Sequence, residues 1–578
     1  NDDLFDTPVV GPEVYRSDDG GQTWSKTHSG FLDDIYYSYG YYFGMVHVSP
    51  SDKNHIYIYG VPILSSKDGG KSFKTLDAAN LHADHHALWI NPKNPKHLVN
   101  GNDGGVNISY DGGQNWIKAN QPTVGQFYTV YADEQEPYHV YGGLQDNGVW
   151  EAVHTAKESV RWHQSGHNPW TAIMGGDGMQ IQVDSRNANI VYTGYQFGNY
   201  FRIDRDADKR KYIQPKHKLG EAPFRFNWQT PILLSAHNND IIYLGSNKLH
   251  RSLNQGDDWK AISDDLTKGA KKGNVPYGTL TSIDESRDTF GTLVVGSDDG
   301  LIHLTQNSGT TWRCISNNLP QDLWVSRVQF SKHAPDRIYA TLNGYRWDDF
   351  NPYVYVSNDL GVSWTDISSN LPRSPVNVIR EDATNKNLLY VGTDNGLFVS
   401  IDGGKNWHIF NKNLPRVAVH DLFIQEKANH LLVGTHGRSI YMLELDAVQQ
   451  LPKVYYKKFA VMAPKIQNYN KRWGNKTRVW YDAFTPSFHW TFFSQEPSEG
   501  VWTLVCDKGV VVFEQAISLH KGLQQLPYNL TIDNTVIKQF NRKHKTDLKP
   551  TGDGNVYMPK GTYTFFWNDE EYTKLVLE

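Results

Sequence analysis

The densest group of chemistry-bearing side chains in the sequence is His82-Ala-Asp84-His85-His86, three imidazoles around one carboxylate, just before the apolar run Ala87-Leu-Trp89. Three more acidic positions stand in glycine-rich segments: Asp103 in Gly101-Asn102-Asp103-Gly104-Gly105, Asp146 in Gln145-Asp146-Asn147-Gly148, and Asp177 in Gly175-Gly176-Asp177-Gly178. Imidazole and carboxylate together suit a divalent cation such as zinc or manganese, with His85, His86 and Asp103 as candidate ligands. Paired carboxylates also suit acid and base roles in glycosidic cleavage, with Asp84, Asp103, Asp146 and Asp177 as candidate catalytic residues. His82, His85, His86, Gln145 and Asn147 are candidate binding residues. Trp347, in the long insertion from Gly344 to Pro352, is a candidate platform for a sugar.

A structural reading competes at each position. Asp-Gly and Asn-Gly are ordinary tight-turn chemistry. Gly296-Ser-Asp-Asp-Gly300 and Gly392-Thr-Asp-Asn-Gly396 repeat the same turn elsewhere in the chain. In a strand only alternate side chains face one way, so a ligand set needs at least two of the histidines on one side.

The elements that position these residues belong to a repeat. The octet Ser-x-Asp-x-Gly-x-Thr-Trp appears as Ser17 to Trp24, Ser66 to Phe73, Ser109 to Trp116, Ser252 to Trp259, Thr305 to Trp312, Ser357 to Trp364 and Ser400 to Trp407. Its Asp, or Asn at 254 and 307, can accept hydrogen bonds from the amides of its own turn, and its Gly permits positive φ. The box Asp is thus a folding device and no catalytic candidate. The interval between Asp111 and Asn254 has room for about three units, so two degenerate copies are expected there, around Phe127 to Trp150 and Met179 to Ile203. One unit reads as four strands: Val376 to Arg380, Leu388 to Thr393, Leu397 to Ser400 and Trp407 to Phe410. Four short, aromatic-rich strands at this period define a propeller blade.

The expected fold is all-β: Asp-box β-propeller blades followed by a small β-sandwich. Residues 1–120 read as the final blades of an N-terminal propeller whose upstream part is missing from the chain. Residues 121–446 read as a seven-bladed propeller, 447–480 as a Pro- and Lys-containing linker, and 481–578 as the sandwich. A single ring of nine or so blades is the alternative. Because strands alternate in direction, the boxes lie on one face of a ring. The turns between second and third strands, and the starts of first strands, lie on the other. Asp84, Asp103, Asp146, Asp177 and the histidines fall on that second face, where they should converge. His436 and Arg438, in Gly434-Thr-His436-Gly-Arg438-Ser, fall in an equivalent turn of the last unit and read as ring closure.

Composition narrows the functional classes. A net charge of −5, spread without blocks, leaves no basic stripe for nucleic acid. The two cysteines, Cys314 and Cys506, exclude a disulfide framework, and a thiolate metal site is not expected from them. No apolar stretch reaches the ~18 residues of a membrane-spanning helix. The first residues, Asn-Asp-Asp-Leu-Phe, are not a signal peptide.

With the octets, His82 to Pro95, Asn100 to Gly105, Tyr141 to Gly148 and Gly434 to Ser439, the chain resembles bacterial Asp-box (BNR) repeat proteins described as sortilin-like (VPS10-like) or glycosyl-hydrolase-like; the resemblance covers about residues 10–445. It implies a secreted or cell-surface protein with further blades upstream. Sortilin-type receptors bind peptides inside a ten-bladed ring and end in a cysteine-rich module, which two cysteines exclude. Two-propeller xyloglucanases place one catalytic Asp on each ring, and neither matches a motif here. The arginine triad and Arg-Ile-Pro signature of sialidases are also unmatched. The expectation is an extracytoplasmic binding or assembly module that presents a propeller face to a protein, peptide or glycan, within a surface complex or alone. No cofactor is called for, with a divalent metal at the His/Asp cluster kept as one option. The alternative is a glycoside hydrolase or metal-dependent hydrolase using that cluster.

Overall fold

The computed structural model describes residues 12–37, 39–119, 123–157, 169–273, 275–410, 413–478 and 480–578. Two compact units divide at Leu443/Glu444.

The octet's chemistry explains the first unit. In the copy at Ser357, the Ser357 hydroxyl donates to Asp359 Oδ1 (2.7 Å) and accepts from the Gly361 amide (2.7 Å). Asp359 accepts from the Ser363 amide (2.9 Å) and hydroxyl (2.6 Å). These bonds hold the Asp359 carboxyl down at about 2. The Trp364 ring then leaves its own sheet and donates from Nε1 to the Ile315 carbonyl of the preceding sheet (2.7 Å). Trp116, Trp312 and Trp407 do the same to Leu76, Ile262 and Ile367. Each of these four boxes therefore closes its own turn and also fastens one blade to the one before.

Seven antiparallel sheets follow one another between residues 127 and 444, four-stranded except for the last, which has three described strands. The degenerate copies form full sheets, 127–174 and 182–212. The seventh sheet returns to the first. Asp421 Oδ2 accepts from the Thr129 hydroxyl (3.0 Å) and the Val130 amide (3.1 Å), and Tyr138 bonds His430 across the same seam (2.8 Å). The amides of Gly437 and Ser439 donate to the Gly125 carbonyl, and Gln126 forms a bridge with His436, so the Gly434 to Ser439 segment closes the ring. The innermost strands, such as Trp324–Phe330 and Val376–Glu381, line a central channel.

Two four-stranded sheets precede the ring within the same unit, with strands from Met45–Ser49 to Lys74–Thr75 and from His85–Ile90 to Ile117–Lys118. Tyr57, Tyr59, Leu88, Leu98 and Trp116 form their shared core.

The second unit packs a three-stranded sheet (Phe459–Val461, His489–Ser494, Gly522–Pro527) against a four-stranded one (Ser498–Cys506, Val511–Leu519, Gly561–Trp567, Glu570–Leu577). Trp490 of the first lies 4.6 Å from Phe565 and 6.1 Å from Trp502 of the second, ring centre to ring centre. The expected linker is corrected in part: helix α1 (Asp446–Val454) and strand Phe459–Val461 belong to this unit. Pro452 sits near the helix end, and Leu451 and Val454 pack on Ala460, Met462 and Phe493, which outweighs one missing amide. A second helix, α2 (Ile537–His544), inserts Phe540 into the sandwich core. Among the described residues, no helix is long and apolar enough to cross a membrane.

Candidate functional site at the mouth of the ring

The His/Asp candidates come from three sheets, and hydrogen bonds join them. His82 Nε2 donates to the Asp146 carbonyl (3.0 Å) and Asn147 Nδ2 donates to the Asp103 carbonyl (2.9 Å), so the sheet before the ring is tied to the ring's first sheet. Asp103 Oδ1 accepts from His86 Nε2 (2.9 Å), whose ring stacks on Phe43 with centres 5.6 Å apart. Asp177 Oδ1 accepts from the Asp146 amide (2.6 Å).

Charge accumulates here. Burial pushes the Asp177 carboxyl up to about 6, with the Asp146 and Asp103 carboxylates adding to the rise against the Asp146 amide bond. Burial and the Asp146 carboxylate raise Asp103, while His86 opposes them. Burial also raises Asp84, against His82 and with Asp146. Four carboxylates thus share one field, two of them at left-handed backbone positions, Asp84 (φ 61°) and Asp146 (φ 58°). Such φ values fit tight turns, and Asp177 is spent on an amide; both features serve local structure.

His85 does not join this group. It is buried, with Nδ1 bonded to Asn100 Oδ1 (2.9 Å) and Nε2 3.8 Å from Asp77. The register slips between His85 and Ala87, making His86 the bulged residue that turns outward to Asp103. The candidate metal set of His85, His86 and Asp103 is therefore split across two sides of the strand.

Beside the cluster opens a cavity of about 650 Å³, the ring's mouth. Gln145, next to Asp146, lines it, and Tyr128 of its wall feels the Asp177 and Asp146 carboxylates. The wall carries the aromatic rings of Tyr128, Phe197, Trp228, Trp324 and Tyr345, interleaved with the amides of Gln180, Asn227, Gln229, Asn343 and Asn377. The Arg346 guanidinium lies 4.1 Å from the Trp324 ring centre and 4.6 Å from that of Tyr345. His420 and His436 stack with centres 4.2 Å apart, and burial with the neighbouring His436 and Arg346 pulls His420 down to about 3. Trp347 is 44% exposed and stands outside the lining, whereas its neighbours Tyr345 and Arg346 are part of it.

A second cavity of about 630 Å³ opens at the other end of the innermost strands, and both are lined by Thr129, Gln180, Arg327 and Asp421. Where they meet, Arg327 bridges to Asp421 (2.7 Å), and Arg380 lies 3.6 Å from the same carboxylate. The mouth therefore has a charged floor.

Sequence reasoning missed Trp228, Trp324, Tyr345 and Arg346. Their signal was the strand register already applied to the histidines: Trp324 starts an innermost strand, Trp228 lies in the loop that leads into one, and Tyr345 and Arg346 lie in a turn between second and third strands.

The fold and the repeated boxes define an Asp-box β-propeller protein. The BNR/Asp-box repeat model matches residues 15–26. Among solved structures, the chain is similar to a GH74 enzyme of Niastella koreensis, at 12% identity and TM-score 0.26 over 89% of this chain and 88% of that one. It is also similar to the extracellular domain of a protein assigned as a hybrid two-component system from B. thetaiotaomicron, at 10% identity and TM-score 0.42 over 92% of this chain and 74% of that one. A third similar structure is YCF48 bound to D1 peptide, at 12% identity and TM-score 0.27 over 68% and 89%. No curated protein matches the chain.

Proposed function

We propose that this protein is an extracytoplasmic binding module that takes a glycan at the mouth of its seven-sheet ring. The lining of the mouth carries the reading: flat aromatic faces at Trp228, Trp324 and Tyr345 alternate with side-chain amides and one guanidinium. Aromatic faces cover the apolar CH surface of a sugar ring, while amides and Arg346 bond its hydroxyls. The Arg327–Asp421 floor fits a ligand that enters by one end of the channel. The extracytoplasmic setting rests on the sequence resemblance alone. The test is a panel of oligosaccharides followed by calorimetry: Trp228→Ala and Trp324→Ala each weaken binding at least tenfold. Unchanged affinity in both variants contradicts the reading.

The carboxylates on the rim favour a second reading, glycoside hydrolysis. Asp177, whose carboxyl burial pushes up to about 6, suits the acid role, with the Asp146 carboxylate beside it as the second group. Release of reducing sugar from a bound glycan, lost in Asp146→Asn and Asp177→Asn, supports that reading. Binding without release supports the first.

A further inference from the structure

Cys506, Asp507 and His544 stand together in the second unit, remote in sequence from every candidate discussed so far. Cys506 and Asp507 lead the hairpin turn that the Gly509 amide closes on the Cys506 carbonyl (2.9 Å). His544 is the last residue of α2, and its ring stacks on the buried Phe540 with centres 4.1 Å apart, which fixes its direction. Lys508 and Lys543 donate to each other's carbonyls (3.2 and 3.1 Å), pinning the turn to the helix end.

His544 Nε2 lies 3.2 Å from Cys506 Sγ and 3.5 Å from Asp507 Oδ1. A single ring N–H serves one of these acceptors; a dication serves a thiolate, an imidazole and a carboxylate at once. Ligands about 2.0–2.3 Å from a tetrahedral zinc ion lie roughly 3.3–3.8 Å from one another, close to both separations. Cys506 is buried and Asp507 is exposed, so the group has a sheltered soft ligand and an open side for entry. Among the described residues this is the one set of three His, Cys, Asp or Glu ligand atoms that could hold a metal ion.

The geometry points to a site for one thiophilic divalent cation of the zinc class, bound by Cys506 Sγ, His544 Nε2 and an Asp507 oxygen, with the fourth position left to water. Sulfur and nitrogen donors select zinc or cobalt over magnesium or calcium. Binding deprotonates the thiol and releases that proton to solvent.

The test is titration of the full chain, under reducing conditions, with Co²⁺. The expected result is one equivalent bound, with a near-ultraviolet thiolate-to-cobalt charge-transfer band that Zn²⁺ abolishes. Cys506→Ser and His544→Ala should remove the band, Asp507→Asn should weaken binding about tenfold, and Cys314→Ser should leave it intact. Asp507 is exposed, so its variant keeps the test readable even where a core variant unfolds. Absence of the band in the unaltered chain, its survival in Cys506→Ser, or its loss in Cys314→Ser overturns the site.

Discussion

His82 Nε2 donates to the Asp146 carbonyl at 3.0 Å, joining the sheet that begins at His85 to the first sheet of the ring. With the Asn147–Asp103 bond, this contact makes a histidine-rich segment a fastening for the ring's rim. Each bond contributes about 1 kcal/mol. His82→Ala with Asn147→Ala should therefore loosen residues 85–118 selectively. Hydrogen exchange in that segment is expected to rise by an order of magnitude or more, while exchange in the strand Val376–Glu381 stays unchanged.

The carboxylates of the rim give the stability a pH dependence whose sign follows from Asp177. Its folded value of about 6 lies above the usual 3.8, so the native protein holds this proton more tightly than the unfolded chain does. Its contribution is full below about pH 4 and is lost as pH rises through 6; Asp103 and Asp84, also raised, act in the same direction. Asp177→Asn keeps an oxygen for the Asp146 amide and removes the charge. It should flatten the fall in stability between about pH 4 and 6.5, with a gain of about 1–2 kcal/mol at pH 7. Thermal denaturation across that range measures it.

Asp421 is buried, half-buried Arg327 bridges to it, and Arg380, which burial and the neighbouring Arg327 lower to about 10, lies 3.6 Å from the same carboxylate. Removing the carboxylate alone strands two guanidinium groups. Asp421→Ala should cost about 3–5 kcal/mol, and adding Arg327→Met should recover part of that loss. Chemical denaturation of the single and double variants separates the pair from simple packing loss.

Gly361 tests the box as an inter-blade fastening. Its φ is +80°, and a Cβ there would meet Ile315 of the preceding sheet at 2.6 Å. Gly361→Ala should destabilise the ring by about 2–3 kcal/mol, more than the left-handed backbone alone requires. Trp364→Phe, which loses the bond to the Ile315 carbonyl and part of the ring's packing on the preceding sheet, should cost about 2 kcal/mol.

Much of the fold was legible because the octet carries its own hydrogen-bond logic. The blade ending at Trp407 was read with its first strand at Val376 to Arg380, and the structure forms Val376–Glu381. What escaped has physical causes. His85 and His86 could not be sorted by alternation, because a bulge between His85 and Ala87 resets it. The start of the expected 447–480 linker is ordered structure, hidden because Pro452 and the lysines mask an apolar stripe of Val448, Leu451 and Val454. The mouth's aromatic rings come from four sheets, so no local pattern marks them as one surface. Cys506 and His544 lie on separate elements, and the packing of Phe540 and the Lys508–Lys543 backbone bonds bring them together.

The glycan reading stands or falls on whether a ligand touches the tryptophans of the mouth. Labelling the chain with 5-fluorotryptophan, assigning Trp228, Trp324 and Trp502 by substitution, and titrating with the tightest oligosaccharide tests this directly. The expected result is saturable ¹⁹F shifts at Trp228 and Trp324 with the same midpoint as calorimetry, and none at Trp502 in the sandwich core. Saturable binding with both mouth signals unmoved would contradict it.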